Sequence, residues 1–344
     1  MNYIDLILDK LKDKVSSIGS NEVSLNKYVS NKTIDLIKRL SGKHIIHTKK
    51  VPDNVIVFSG ASGGVGTSTL VSNIAYIATD IFKLKTLVVD LNILYPVQHV
   101  FKGIKNKPNK NDLMSYLYGE TKLADSIDTE NNILYAVNRG ILDLINSESN
   151  AAEKNFERAV DVLRSLYDLV LIDTPMLLNN TLVNSAFYLS DFIYLVWDES
   201  VGSIVNTDKI RTNMVFTGID TTKLRFVLNK KTKVPYSTYP FEKLNIKLVE
   251  IIPYNEALID TGLKTMLFSR DYASKNEEDK KLYLKLISLT DKLLNEAGFI
   301  PDKEIKELKL LYDNGSIEDN QDDKIENNGG GDVDGSKEIN GNTN

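Results

Sequence analysis

The sequence predicts an α/β fold built on a mostly parallel, twisted sheet of about seven strands with helices on both faces. Three observations carry that expectation. Seven short, β-rich apolar runs recur from Asn54 onward, helical patterns separate them, and a glycine-rich stretch, "SGASGGVGTST" at 59–69, joins the first run to the first helix. The runs are continuously apolar rather than alternating, which marks strands buried on both faces and therefore a parallel sheet.

The strand candidates are "VIVFS" (55–59), "KTLVVD" (85–90), "ILYAV" (133–137), "LVLID" (169–173), "FIYLVW" (192–197), "RFVLN" (225–229) and "KLVEII" (247–252). Between them, helical spacing of apolar residues predicts helices from Thr67 to about Asp80, Ala151 to Leu166, Asn180 to Leu189 and Ser203 to Val215. A further helix around Lys280 to Ala297 closes the domain, taken as residues 51–300, and a short one is expected at 301–312, over Lys303 to Tyr312.

Both ends differ from this body. Residues 1–50 form a helical extension: Ile4, Ile7, Leu8, Leu11, Val15 and Ile18 share one face, and Ile34, Ile37 and Leu40 repeat the pattern before Gly42. The polar face of the first pattern mixes Asp5, Asp9 and Asp13 with Lys10, Lys12 and Lys14, which favours packing on the body or a partner. Membrane contact through residues 1–18 stays an alternative. Residues 313–344 are rich in Asn, Asp and Gly and too poor in apolar side chains to offset ordering entropy, so this tail is expected to be disordered.

Composition excludes several chemistries. With no cysteine there is no disulfide, thiolate metal site or cysteine nucleophile, and His44, His47 and His99 are too few to favour a histidine triad or zinc site. No apolar run approaches the ~20 residues of a membrane span and no signal peptide is evident, so the expectation is a cytoplasmic protein, with peripheral placement at a membrane or cell pole left open. The net charge of −5 sits in the tail, whose nine acids against two lysines leave the body near +2. That is too mild to indicate nucleic-acid binding.

Strand, glycine loop and helix in succession form the context of a phosphate site: Gly63, Gly64 and Gly66 let backbone N–H groups approach phosphate oxygens, and the following helix presents its positive end. Here the chain resembles the ParA/MinD family of deviant P-loop ATPases, whose loop reads K-G-G-x-G-K-[ST]. Its two lysines fall on Ser62 and Thr67, so the glycines remain and both cations are replaced. The form "GGVGTST" is similar to the atypical TadZ and CpaE members, which localise secretion and pilus machinery. The resemblance covers about 52–300. It implies a P-loop NTPase fold binding ATP through Gly63, Gly64, Val65, Gly66, Thr67, Ser68 and Thr69, with Asn229 of "LNK" and Pro253 of "IIPYNEALIDTG" at the adenine. It also implies magnesium held by Ser68, Asp90 and Asp173. Asp90 matches the first switch aspartate and is the catalytic candidate, while Asn92 replaces the acid that orients the attacking water.

A charge-assisted hydrogen bond contributes about 1.5–3 kcal/mol, so the missing loop lysine should weaken binding roughly ten- to a hundredfold. A trans-acting cation contributes about 10³–10⁵ in rate, so turnover should be very slow or absent. The resemblance thus implies a homodimeric positioning or scaffold protein that recruits a polar or membrane-associated machine. A DNA-partition or conjugation ATPase is the alternative, supported by Lys230, Lys231, Lys233, Lys243 and Lys247, and a membrane-cycling ATPase or a nucleotide-free scaffold are further readings. Trp197 reads as core, and 230–243 as either a partner-facing loop or a packed connection.

Overall fold

The computed structural model describes residues 53–104, 111–136, 149–176, 180–232, 246–264, 266–271 and 276–299. The N-terminal extension, residues 301–344, and Lys233 and Lys243 lie outside them. Strand β1 (Val55–Gly60) leads through the glycine loop into α1 (Thr67–Asp80), then β2 (Thr86–Asp90). Three short helices, α2 (Gln98–Phe101), α3 (Leu113–Leu117) and α4 (Leu123–Ser126), precede β3 (Ile133–Tyr135). The chain then alternates α5 (Asn150–Leu166), β4 (Leu169–Thr174), α6 (Thr181–Leu189), β5 (Phe192–Trp197), α7 (Val201–Phe216) and β6 (Leu224–Lys231). Finally β7 (Lys247–Pro253) is followed by α8 (Glu256–Leu263), α9 (Phe268–Asp271) and α10 (Glu277–Glu296).

All seven strands are parallel, in the order β3-β2-β4-β1-β5-β6-β7. β1 is fully buried at the centre, which its continuous apolar run requires. Side chains alternate between the faces. Val55 and Val57 join a cluster with Phe156 and Leu163 of α5, Ala186 of α6 and Met214 of α7. Phe58 faces the other way and stacks on Tyr194 at 5.1 Å between ring centroids. On that side α1 and α10 pack together. The Tyr194 hydroxyl donates to Glu296 of α10 at 2.9 Å, and the same carboxylate takes Arg225 and Lys247 from β6 and β7.

The long helices start where the sequence places caps. Ser149, Asn180, Ser200, Asn255 and Asn276 accept the backbone N–H of the third residue on, opening α5, α6, α7, α8 and α10. The expected fold, with its strands and five of its long helices, is observed. Two details differ. The segment 251–262, where the resemblance implies an adenine-flanking loop, is the end of β7 followed by α8, because Asn255 caps a new helix after Pro253. The short helices α2, α3, α4 and α9 escaped the periodicity, since four or five residues hold barely one turn. Among the described residues no helix is long and apolar enough to cross a membrane.

Leu286 is fully buried on α10. Leu286→Ala should destabilise the protein by about 2–5 kcal/mol, read as a lower urea midpoint with little change in slope.

Candidate functional site

The carboxyl ends of β1, β2 and β4 converge where ligands of open α/β sheets bind. The loop after β1 turns through Gly64 at φ +77° and Gly66 at φ +92°, both in the left-handed region. Gly66 also has no room for a side chain, because a β-carbon there would lie 2.6 Å from Asn229 Nδ2. No such conflict exists at Gly63 and Gly64, which face open space. Gly66 opens α1 with no side-chain cap and no acid in the first turn. The first N–H groups and positive end of a 14-residue helix are therefore left for an anion.

Beside this helix stand two buried carboxyl groups. Asp90 and Asp173 are register partners on adjacent strands. Asp90 accepts backbone N–H bonds from Asn92, Val97 and Gln98 at 2.9–3.0 Å, which folds the segment after β2 around its carboxylate. Asp173 accepts the Ser68 hydroxyl and the Gln98 side-chain amide, the latter at 2.7 Å. Gln98 also donates to the Ser68 carbonyl at 3.0 Å and accepts from Ser72 at 2.5 Å. Burial pushes Asp90 up to about 7, helped by the charge of Asp173 and opposed by the three N–H bonds. Burial likewise pushes Asp173 up to about 6, against the bonds from Gln98 and Ser68. Such a pair without a counter-cation is electrostatically costly when ionised.

The donor set, two buried carboxylates and a serine hydroxyl at the foot of a phosphate loop, fits a hard cation such as magnesium. That ion uses one or two carboxylates and completes its shell with phosphate and water. Among the described residues no group of three His, Cys, Asp or Glu could hold a metal, and magnesium does not need one. The other end of the loop is gripped by β6. Asn229 is buried, its Nδ2 donates to the Val65 carbonyl at 2.8 Å, and its Oδ1 is a buried acceptor without a partner. An exocyclic amine of a base would satisfy such an oxygen.

The structure therefore gathers Gly63 through Thr69, Asp90, Asp173 and Asn229 at one edge of the sheet. Asn92 follows Asp90 and is half-buried, and Pro253 pairs in register with Lys231, two residues beyond Asn229. Trp197 is core, donating to the Ser203 carbonyl and Thr207 hydroxyl at 2.8 and 2.7 Å. Of the lysines that could form a DNA surface, the three among the described residues are engaged within the fold: Lys230 on the Gly64 carbonyl, Lys231 on Glu199 and Lys247 on Glu296. Two features were missed in the sequence. Gln98 sits on a one-turn helix with no periodic signal. Ser62 meets the Ser203 hydroxyl at 3.1 Å, and Ser203 and Ser200 both donate to Asp198.

Residues 53–212 match the family model of an AAA domain. No curated protein matches by sequence. Among solved structures, the septum site-determining protein MinD of Pyrococcus horikoshii complexed with Mg-ADP is 19% identical, with a TM-score of 0.57 over 70% of this chain and 95% of that one. The MinC:MinD cell division complex of Aquifex aeolicus gives 18% and 0.55 over 73% and 98%. A ParA family ATPase of Chlorobium tepidum gives 13% and 0.54 over 72% and 100%. Sheet order, loop and helix define a P-loop NTPase fold. Within that class the chain has the MinD/ParA-like form.

The raised carboxyl values have a consequence for the ligand-free chain. Their native values lie above the ~3.9 of an unfolded Asp, so above that pH the native state holds more protons than the unfolded one. The stability they contribute is complete below about pH 4 and is lost as pH rises through about 6 and 7. Asp173→Asn should flatten part of this fall, leaving the variant on the order of 1–3 kcal/mol more stable than the parent at pH 8 relative to pH 5. Thermal melts at the two pH values, without magnesium, check it.

Proposed function

We propose that the chain is a ParA/MinD-type ATP-binding positioning or scaffold protein, TadZ/CpaE-like in its loop, with weak or absent hydrolysis. The observation that carries this reading is the uncapped start of α1 at a glycine loop that has kept its turns and lost its lysines, beside Asp90 and Asp173. In it, the N–H groups of Gly63 through Thr69 take the phosphates. Ser68 and Asp173, with Asp90 behind them, hold magnesium, which supplies charge neutralisation for the phosphate chain. Asn229 and Pro253 flank the adenine. Ser62 is tied to Ser203 in its own chain, and Asn92 is an amide, so neither contributes the charge that phosphoryl transfer draws on.

Binding then acts as an assembly signal rather than as fuel. Val201, Ile204 and Val205 are exposed on the first turns of α7, whose Gly202 lies beside Ser62. This apolar edge next to the loop supports self-association there, and the dimer recruits proteins of a polar or membrane-associated machine.

Calorimetric titration with ATP and magnesium tests the reading. The parent should bind in the micromolar to high-micromolar range, the Ser68→Ala, Asp173→Ala double variant should lose at least about tenfold in affinity, and phosphate release should stay near background. No heat at millimolar ATP would sink the nucleotide assignment, and rapid phosphate release would sink the slow-turnover part alone.

A further inference from the structure

Strand β6 carries a strained residue next to its end. Lys230 has φ +57°, a left-handed backbone that a residue with a β-carbon adopts only at a cost. Its side chain returns over the glycine loop: Nζ donates to the Gly64 carbonyl at 2.5 Å, and Cε passes 3.7 Å from where a β-carbon on Gly66 would stand. Asn229, the residue before it, grips the next loop carbonyl, that of Val65. Two consecutive residues of β6 thus hold two consecutive carbonyls of the loop.

We propose that Lys230 supplies, from β6, the positive charge that the glycine loop itself lacks, and so strengthens recognition of the phosphate chain of a nucleotide. An ammonium has three donors, and Gly64 takes one of them. The residue next along, Lys231, is differently placed, since its ammonium is paired with Glu199 at 2.9 Å. The acid facing Lys230 is Asp198. Burial alone would raise Asp198, but hydroxyls of Ser200 and Ser203 and the charge of Lys230 bring it below the usual carboxylate range. Two hydroxyls hold Asp198 Oδ1, while the Lys230 ammonium makes its hydrogen bond to the loop, at the Gly64 carbonyl.

The inference rests on the nucleotide reading of the site, and the two fail differently. The full chain is titrated with ATP and magnesium at several salt concentrations as the parent, Lys230→Asn, Lys230→Arg and Lys231→Asn. Asparagine accepts a left-handed backbone, so Lys230→Asn keeps the fold, which a melting curve verifies. The expected result is about tenfold weaker ATP binding in Lys230→Asn with a shallower salt dependence, and parent-like binding in Lys230→Arg and Lys231→Asn. Parent-like affinity in Lys230→Asn, or a loss with an unchanged salt slope, overturns the charge role while leaving the site standing. A parent protein that binds no ATP overturns the nucleotide reading, and the role of Lys230 with it.

Discussion

Much of the site depends on one buried carboxylate. Asp90, at the last residue of β2, gathers the N–H groups of Asn92, Val97 and Gln98 and so fixes the path of the chain after the strand. That path delivers the Gln98 side chain to Asp173, Ser68 and Ser72, closing a polar cluster under the first turn of α1. Without Asp90 the segment would lose the partner of three donors, of which the buried Gln98 N–H would cost about 1–3 kcal/mol if left unpaired. The carboxylate is therefore committed to folding, and the lone pairs it spends on backbone are unavailable to a cation. Asp173 and Ser68 are correspondingly the freer pair.

The Gln98 amide also occupies the place where positive charge is wanted. One of its N–H groups gives Asp173 partial compensation in a way that a full cation would improve upon, and the other goes to the Ser68 carbonyl. The cluster around Asp173 is held by hydrogen bonds from a one-turn helix rather than from a domain. Such an element, four residues long, is a small thing to shift.

What could be read in the sequence follows from what each contact spans. The sheet was legible because parallel strands are buried on both faces and carry the signal in every residue, as β1 does from Val55 to Gly60. Asp90 and Asp173, each the acid of an apolar run, were singled out through resemblance. Asn229 was found through resemblance, and its orphaned Oδ1 gives that placement an independent physical reason. Gln98 was not legible: its bond to Asp173 crosses 75 positions and nothing local announces it. Lys230 was seen as one of several surface lysines, since only the three-dimensional crossing of β6 behind the loop brings its ammonium to Gly64. Long-range pairings of single polar side chains leave no periodic trace, whereas packing does.

The chain has a single tryptophan, and its indole N–H bonds the Ser203 carbonyl and the Thr207 hydroxyl inside α7. The Ser203 hydroxyl is in turn the contact of Ser62 in the glycine loop. Light absorbed by this one ring is therefore emitted one residue away from the loop, from an indole 2.8 Å from the Ser203 carbonyl, with the Ser203 hydroxyl 3.1 Å from Ser62. The protein carries its own optical gauge of what happens there, free of any competing indole signal elsewhere in the molecule.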